Sequence, residues 1–214
     1  MQRLPVFGLG CAGRVSGLVR AAQMAANQPD ARVLYLVVEL CGLTFRVNDT
    51  SKSNIIATAL FGVGAAGTSL VCQQSGPAIA GWAEHTWEDS LDVMGWEVGD
   101  DGLGVLVSRD IPNLVRTRLR EPAYAFLERH RLGPQDITRH ASHPSGAKVL
   151  DALEEVFVLP KGDLVITRDI LRRFGNMSAA TVMFVLAETL REGLPGNWLM
   201  SAMGPGFTAS FALL

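Results

Sequence analysis

Leu9-Gly10-Cys11-Ala12-Gly13 sets a lone cysteine, flanked by glycines, where an apolar run gives way to an amphipathic helix. From Val15 the apolar residues recur as Val15, Leu18, Val19 and Ala22, the i, i+3, i+4, i+7 spacing of one helical face, with Arg20 and Gln23 off it. Cys11 therefore stands at a helix N-terminus. Unpaired backbone N–H groups and the positive end of the helix dipole favour an anion there, which makes the sulfur a candidate nucleophile near neutral pH. On this stretch alone a second reading stays open, because free cysteines are among the most buried residues and often only fill a core.

Outward from this stretch, the composition narrows the possibilities. With 214 residues, 48% hydrophobic and 19% charged, the chain can bury one substantial core or two smaller ones. A net charge of −2 supplies no basic field for nucleic acid or an anionic membrane, so neither is expected as a partner. Cys11, Cys41 and Cys72 are odd in number and lack paired spacing, which argues against a disulfide framework and for a reducing compartment. No metal-ligand cluster suggests itself. Met1 to Val6 lack the apolar core of a signal peptide, and the apolar stretches Val33 to Val38 and Ile55 to Val71 are too short or too glycine-interrupted to span a membrane. A cytoplasmic location is expected.

After the first helix, Val33-Leu34-Tyr35-Leu36-Val37-Val38 reads as a strand buried on both faces, giving the helix-and-strand unit of a layered α/β fold. Arg46 to Ser53 is polar and marks a subdomain boundary. Ile55 to Cys72 reads as a short helix turning through Phe61-Gly62-Val63-Gly64 into a strand. Trp82 to Ser108 reads as a hairpin about Gly99-Asp100-Asp101-Gly102, with Trp82, Trp87 and Trp96 as packing residues. Pro112 opens a helix to about Arg131 that Pro122 kinks or divides. Ile137 to Ser142 reads as a strand, Val149 to Phe157, Arg168 to Arg173 and Ala179 to Arg191 as helices, and Trp198 to Leu214 as two apolar strands around Gly204-Pro205-Gly206.

Two polar residues fall at chemically useful places. His143 ends an apolar strand at the turn His143-Pro144-Ser145-Gly146, where a histidine can exchange protons or donate to an oxyanion. Asn176 precedes a helix beside Gly175; it reads either as a cap or as an amide donor aimed at a carbonyl. Spacing alone does not bring either one to Cys11.

Gly10-Cys11-Ala12-Gly13, Phe61-Gly62-x-Gly64-Ala65-Ala66, His143-Pro144-x-Gly146, Gly175-Asn176-Met177-Ser178-x-Ala180 and Gly204-Pro205-Gly206-Phe207 occur in the order and approximate spacing of type III polyketide synthases. Val38-Glu39-Leu40-Cys41-Gly42-Leu43-Thr44-Phe45 also resembles the bacterial members of this chalcone and stilbene synthase-like family. The resemblance runs along the whole chain. It implies an α/β, thiolase-like layered αβαβα fold, usually as a homodimer, with the N-terminal half truncated. Residues 1–53 would be the remnant of that half carrying the nucleophile, and residues 54–214 the C-terminal half.

The chemistry implied by the resemblance is decarboxylative condensation. Cys11 would take an acyl group from a starter acyl-CoA, and His143 would pair with Cys11. His143 and Asn176 together would donate to the thioester oxygen of malonyl-CoA as it loses carbon dioxide. No metal or cofactor beyond the coenzyme A thioesters is implied. Phe61 matches a gatekeeping position and Val105 a second one; Cys41, Thr44 and Ser178 match pocket-lining positions, Gly146 the loop near the pantetheine arm, and Pro205 the loop shaping the cyclisation cavity. Several residues depart from the family pattern: Arg14 replaces a glycine one turn from Cys11, Val63 an aspartate, Ser145 a glycine and Ser210 a glutamate. Two alternatives remain, a ketoacyl synthase III-like condensing enzyme and an inactive fragment or partner of a full-length paralogue.

Overall fold

The computed structural model describes residues 2–72, 76–100, 102–193 and 195–214. A 3-10 turn at Gly10–Ala12 runs into helix α1 (Gly13–Asn27), followed by strand β1 (Val33–Leu40), helix α2 (Lys52–Leu60) and strand β2 (Val63–Leu70). Strands β3 (Gly81–Thr86), β4 (Met94–Gly99) and β5 (Gly102–Val107) precede a long helical stretch. That stretch is α3 (Ile111–Leu114), a π-helical turn (Val115–Leu119) and α4 (Arg120–Arg129). Then come β6 (Ile137–Ser142), α5 (Ala147–Val156), α6 (Val165–Phe174), α7 (Thr181–Arg191), β7 (Asn197–Gly204) and β8 (Thr208–Leu213).

The central sheet has the order β3-β8-β7-β6; β8 is antiparallel to both neighbours and β6 parallel to β7. Alternation along its inner strands feeds two cores. Leu199, Met203, Ala209, Phe211 and Leu213 pack against Phe126, Leu127, Leu150 and Leu153 of α4 and α5. Met200, Ala202 and Ala212 pack on the other side against Val15 and Leu18 of α1 and Val182 and Val185 of α7. Each fully buried Leu, Met, Val or Phe side chain among them contributes about 1.5–3 kcal/mol. Strands covered on both faces read as nearly unbroken apolar runs, which is why the C-terminal pair was plain in the sequence.

Helices α1 and α7 form a middle layer whose far side meets the β1/β2 ladder through Tyr35, Ala66 and Leu70. The layer order is thus α, β, α, β. The expected division between Ser53 and Asn54 falls between the two strands of this ladder, which runs in register from Val33↔Leu70 to Leu40↔Val63.

Strand β1 is not buried on both faces. Val33, Tyr35, Val37 and Glu39 are half-buried against the middle layer, whereas Leu34 (64% exposed), Leu36, Val38 (67%) and Leu40 face outward. Among the described residues no further helix covers that side. A continuous apolar run fits a one-sided strand as well as a two-sided one, and only burial separates them.

The β4/β5 hairpin pairs Gly99 with Gly102 as expected; Asp101 lies outside the described residues. Of the tryptophans expected to pack there, Trp87 stacks on Phe207 with ring centroids 5.1 Å apart, but Trp82 (45% exposed) and Trp96 (39%) stay open to solvent. Pro122 does not break its helix. The preceding π-helical turn widens the backbone just where the proline ring would meet the carbonyl four residues back, so α3 and α4 continue as one stretch. No helix among the described residues is long and apolar enough to cross a membrane.

Candidate active site

The 3-10 turn at Gly10–Ala12 places Cys11 at the head of α1, where the sequence predicted it. Glycine is required on both sides of this turn. Gly10 has φ +48°, and a Cβ there would lie 2.7 Å from Pro205 Cδ. A Cβ on Gly204 would lie 2.7 Å from Ala12 N. The Gly204-Pro205-Gly206 turn therefore seats directly on the cysteine turn.

Asn176 arrives from the end of α6 through Gly175, whose φ is +69°. Its N–H donates to Leu60 O at 2.8 Å and its carbonyl accepts from Gly62 N at 2.9 Å, which clamps it beside Phe61. Its side-chain Oδ1 accepts from Ser178 N at 2.8 Å, so the NH2 end of the carboxamide is the donor left for other partners. Ser178 itself is held at φ +45°, a strained backbone for a residue with a Cβ and a kind of strain that concentrates at functional sites. The Cys11 Sγ donates to Ser178 Oγ at 3.6 Å. Sulfur and carboxamide, from widely separated parts of the chain, line one cleft.

His143 ends β6 as expected, its N–H donating to Ser201 O at 2.8 Å, and it is buried. No hydrogen bond joins it to Cys11, and both imidazole nitrogens are buried without a partner. His143 is not among the residues that line the cleft, so the expected pairing of His143 with Cys11 is not made here; the sulfur pairs with Ser178 instead.

The cleft encloses about 330 Å³ and is lined chiefly by apolar atoms, within the usual size of a ligand pocket. Cys41, Phe61, Val105, Gly146, Ser178 and Pro205 all line it. Thr44 does not; its hydroxyl turns to donate to Cys41 O at 2.7 Å. Ile56, Leu60, Trp96 and Ile111 complete the apolar wall, and the exposed Arg109 and Lys148 stand at its edge. The sequence reading missed these six. Arg109 follows a hairpin, Ile111 and Lys148 open helices, and Ile56, Leu60 and Trp96 sit within α2 and β4, positions that specify no pocket. Among the described residues no three His, Cys, Asp or Glu side chains converge as metal ligands would.

The electrostatics are those of a dry site. Burial pushes the Cys11 thiol up to about 11, and Ser178, Arg14 and Asn176 pull back toward the thiolate while Glu39 opposes it. Burial, aided by Arg14, pushes His143 down to about 3, so the imidazole is neutral near pH 7. Arg14 is lowered to about 10 by burial. Glu39 of β1 reaches across to accept from Ala179 N at 3.2 Å; burial raises its carboxyl. Neither Glu39 nor Tyr35 was given a role from the sequence, because Tyr35 sat inside what read as an apolar strand and Glu39 just past its end. At the departure positions, Ser210 is buried and bonds Ser16 Oγ at 2.9 Å, and the buried Ser145 Oγ has no partner.

This geometry can be set beside known proteins. The family model for the N-terminal domain of chalcone and stilbene synthases matches residues 1–74, and the one for their C-terminal domain matches residues 85–213. A Bacillus subtilis (strain 168) protein bearing a chalcone synthase name is 40% identical over 225 residues, 99% of this chain and 61% of that protein. The 1,3,6,8-tetrahydroxynaphthalene synthase of Streptomyces peucetius subsp. caesius is 40% identical over 223 residues, all of this chain and 59% of that enzyme. The chain thus spans less than two thirds of the length of these relatives. The crystal structure of 1,3,6,8-tetrahydroxynaphthalene synthase from Streptomyces coelicolor A3(2), a bacterial type III polyketide synthase, superposes with a TM-score of 0.92 at 23% identity, over 98% of this chain and 61% of that one. Its likeness carries the thiolase-like fold. Because both domains are matched in order along one chain, and the layers superpose on a member's crystal structure, this protein belongs to the chalcone and stilbene synthase family.

Proposed function

We propose that the chain carries out the condensing chemistry of a type III polyketide synthase. The observation that carries this reading is the meeting of Cys11 and the Asn176 carboxamide in one apolar cleft. The Cys11 thiolate attacks the carbonyl of a starter acyl-CoA, expelling coenzyme A thiolate and leaving an acyl thioester. Malonyl-CoA then loses carbon dioxide. The electron pair passes into the enolate, whose oxygen is stabilised by the Asn176 NH2 and by neutral His143 once its ring turns to the cleft. Donors fixed in a dry site stabilise that charge more than they stabilise the ground state. The enolate carbon attacks the acyl carbonyl and Cys11 leaves as thiolate, free for another round. The atoms balance with coenzyme A thioesters alone, so no cofactor enters this scheme.

The apolar faces of Phe61 and Val105 suit an acyl chain and disfavour a carboxylate, while Arg109 and Lys148 suit the phosphates of coenzyme A. Cys11, Cys41 and Cys72 are all free, which supports a reducing cytoplasmic setting. A homodimer is part of the same reading. The test is incubation of the purified chain with an acyl-CoA and radiolabelled malonyl-CoA, with products separated by chromatography. Labelled product that vanishes in Cys11→Ala supports the reading, and a Cys11→Ala variant as active as the parent overturns it. Repeated extension with ring closure, rather than one condensation, distinguishes it from a ketoacyl synthase.

A further inference from the structure

Arg14 is the largest fully buried side chain among the described residues, with 0% exposure, and its Nε, Nη1 and Nη2 all lack a hydrogen-bond partner. Buried arginines are ordinarily paired, since a dry guanidinium without an anion is costly. Nothing holds this side chain by its nitrogens in the resting site. Its own carbonyl and that of Gly13 each accept from Tyr35 Oη at 3.3 Å, which ties the first turn of α1 to β1. The groups facing Cys11 are known from every element around it. They are Arg14 on α1, Glu39 on β1 and Cys41 just after it, while Tyr35 of β1 faces Arg14. The polar Asn176 and Ser178 lie ahead of α7, and His143, at the end of β6, shares the field of Arg14. Tyr35 and Cys41 are neutral near pH 7, because burial raises each to about 12. Glu39 gives its carboxylate to Ala179 N and makes no hydrogen bond to Arg14, although each feels the other's charge. The group in reach that gains a negative charge during acyl transfer is the Cys11 sulfur.

We propose that Arg14 is the counter-cation of the Cys11 thiolate, a positioning residue that takes the place of a protonated histidine and leaves His143 neutral as a hydrogen-bond donor. The inference rests on the nucleophile reading above. Ionising Cys11 releases its proton to the solvent outside the cleft and not to His143. The guanidinium, which has no hydrogen-bond partner, gains a further anion when the sulfur is charged, so one buried cation supports the thiolate each time it is regenerated.

The test is the pH profile of Cys11 alkylation by iodoacetamide, followed by mass spectrometry of the Cys11 peptide. Arg14→Gln should move the midpoint up by about one pH unit, about tenfold slower labelling below it, the lower end of the effect of one nearby opposite charge. Arg14→Lys, which keeps the cation, should restore most of the rate. An unchanged midpoint in a folded Arg14→Gln overturns the inference while the nucleophile reading stands; no labelling of Cys11 at any pH overturns both. Should Arg14→Gln fail to fold, the wild-type chain decides. Carboxymethylation with iodoacetate leaves an anion beside Arg14, and carbamidomethylation with iodoacetamide a neutral group of similar size. The carboxymethylated protein should have the higher unfolding midpoint, and an equal or lower midpoint overturns the proposal.

Discussion

Glu154→Gln tests how the fold delivers Asn176. Glu154, buried on α5, accepts from Gly162 N at 2.8 Å, Leu164 N at 3.1 Å, and the Arg168 Nε and Nη2 at 3.2 and 2.8 Å. Leu164 immediately precedes α6, and α6 ends at the Gly175-Asn176 step. The carboxylate therefore anchors the start of the helix whose end supplies the amide. Glutamine keeps the shape but turns one acceptor into a donor facing other donors. Arg168 keeps its 2.8 Å bond to Asp151 and is partly exposed, so the loss should sit near the lower end for a broken buried pair, about 3 kcal/mol. For a chain of this size that is about 6–12 °C in the unfolding midpoint.

The sign with pH follows from the group's shift. Burial pushes the Glu154 carboxyl up, but the Arg168 bonds and the two N–H donors outweigh it and hold the group below its ordinary value. A depressed carboxyl contributes stability above its unfolded value, about 4.3, and loses it as pH falls through the folded value. Urea unfolding followed by tryptophan fluorescence should show the full gap between parent and variant at pH 7, closing below about pH 4. A variant within about 0.5 kcal/mol of the parent at pH 7, the range of an ordinary surface change, would refute the reasoning, as would a gap that widens in acid.

Further outcomes follow from the site. Asn176→Asp keeps the acceptor for Ser178 N but exchanges the donor near Cys11 for an oxygen, so release of labelled carbon dioxide from malonyl-CoA should fall by about 10²–10³-fold with the circular dichroism spectrum unchanged; a parental rate excludes the amide role. Gly10→Val sets a branched Cβ against Pro205 at a positive φ, and should both lower the unfolding midpoint and slow Cys11 alkylation. Normal reactivity there would mean that the turn tolerates displacement. Replacing Arg109 and Lys148 together by alanine should raise the KM for malonyl-CoA and leave kcat nearly unchanged, as expected for groups that hold the carrier and not the reacting atoms.

Much of this arrangement was legible in the residues, for particular reasons. The helix after Cys11, the β4/β5 hairpin and the β7/β8 pair each combine a clear period with glycine or proline punctuation, so local chemistry and tertiary packing agree. The outward face of β1 was not legible, because Leu34, Leu36 and Val38 are as apolar as the residues they alternate with. The π-helical turn ahead of Pro122 was missed because no residue pattern marks it. At the site, the positions of Cys11 and Asn176 could be anticipated. The partner of the sulfur could not, since Ser178 reaches it through a strained backbone that depends on the seating of Phe61 and Gly62 against Asn176.

The outward side chains of β1 also bear on how the 214-residue chain behaves in a tube. Attraction between apolar surfaces near room temperature is driven by water entropy and weakens on cooling. Leu34, Leu36, Val38 and Leu40 form a stripe of such surface along one strand. Clustering of the chain should accordingly grow as a sample is warmed and relax on ice, opposite to the trend of a contact held by ion pairs formed with a favourable enthalpy.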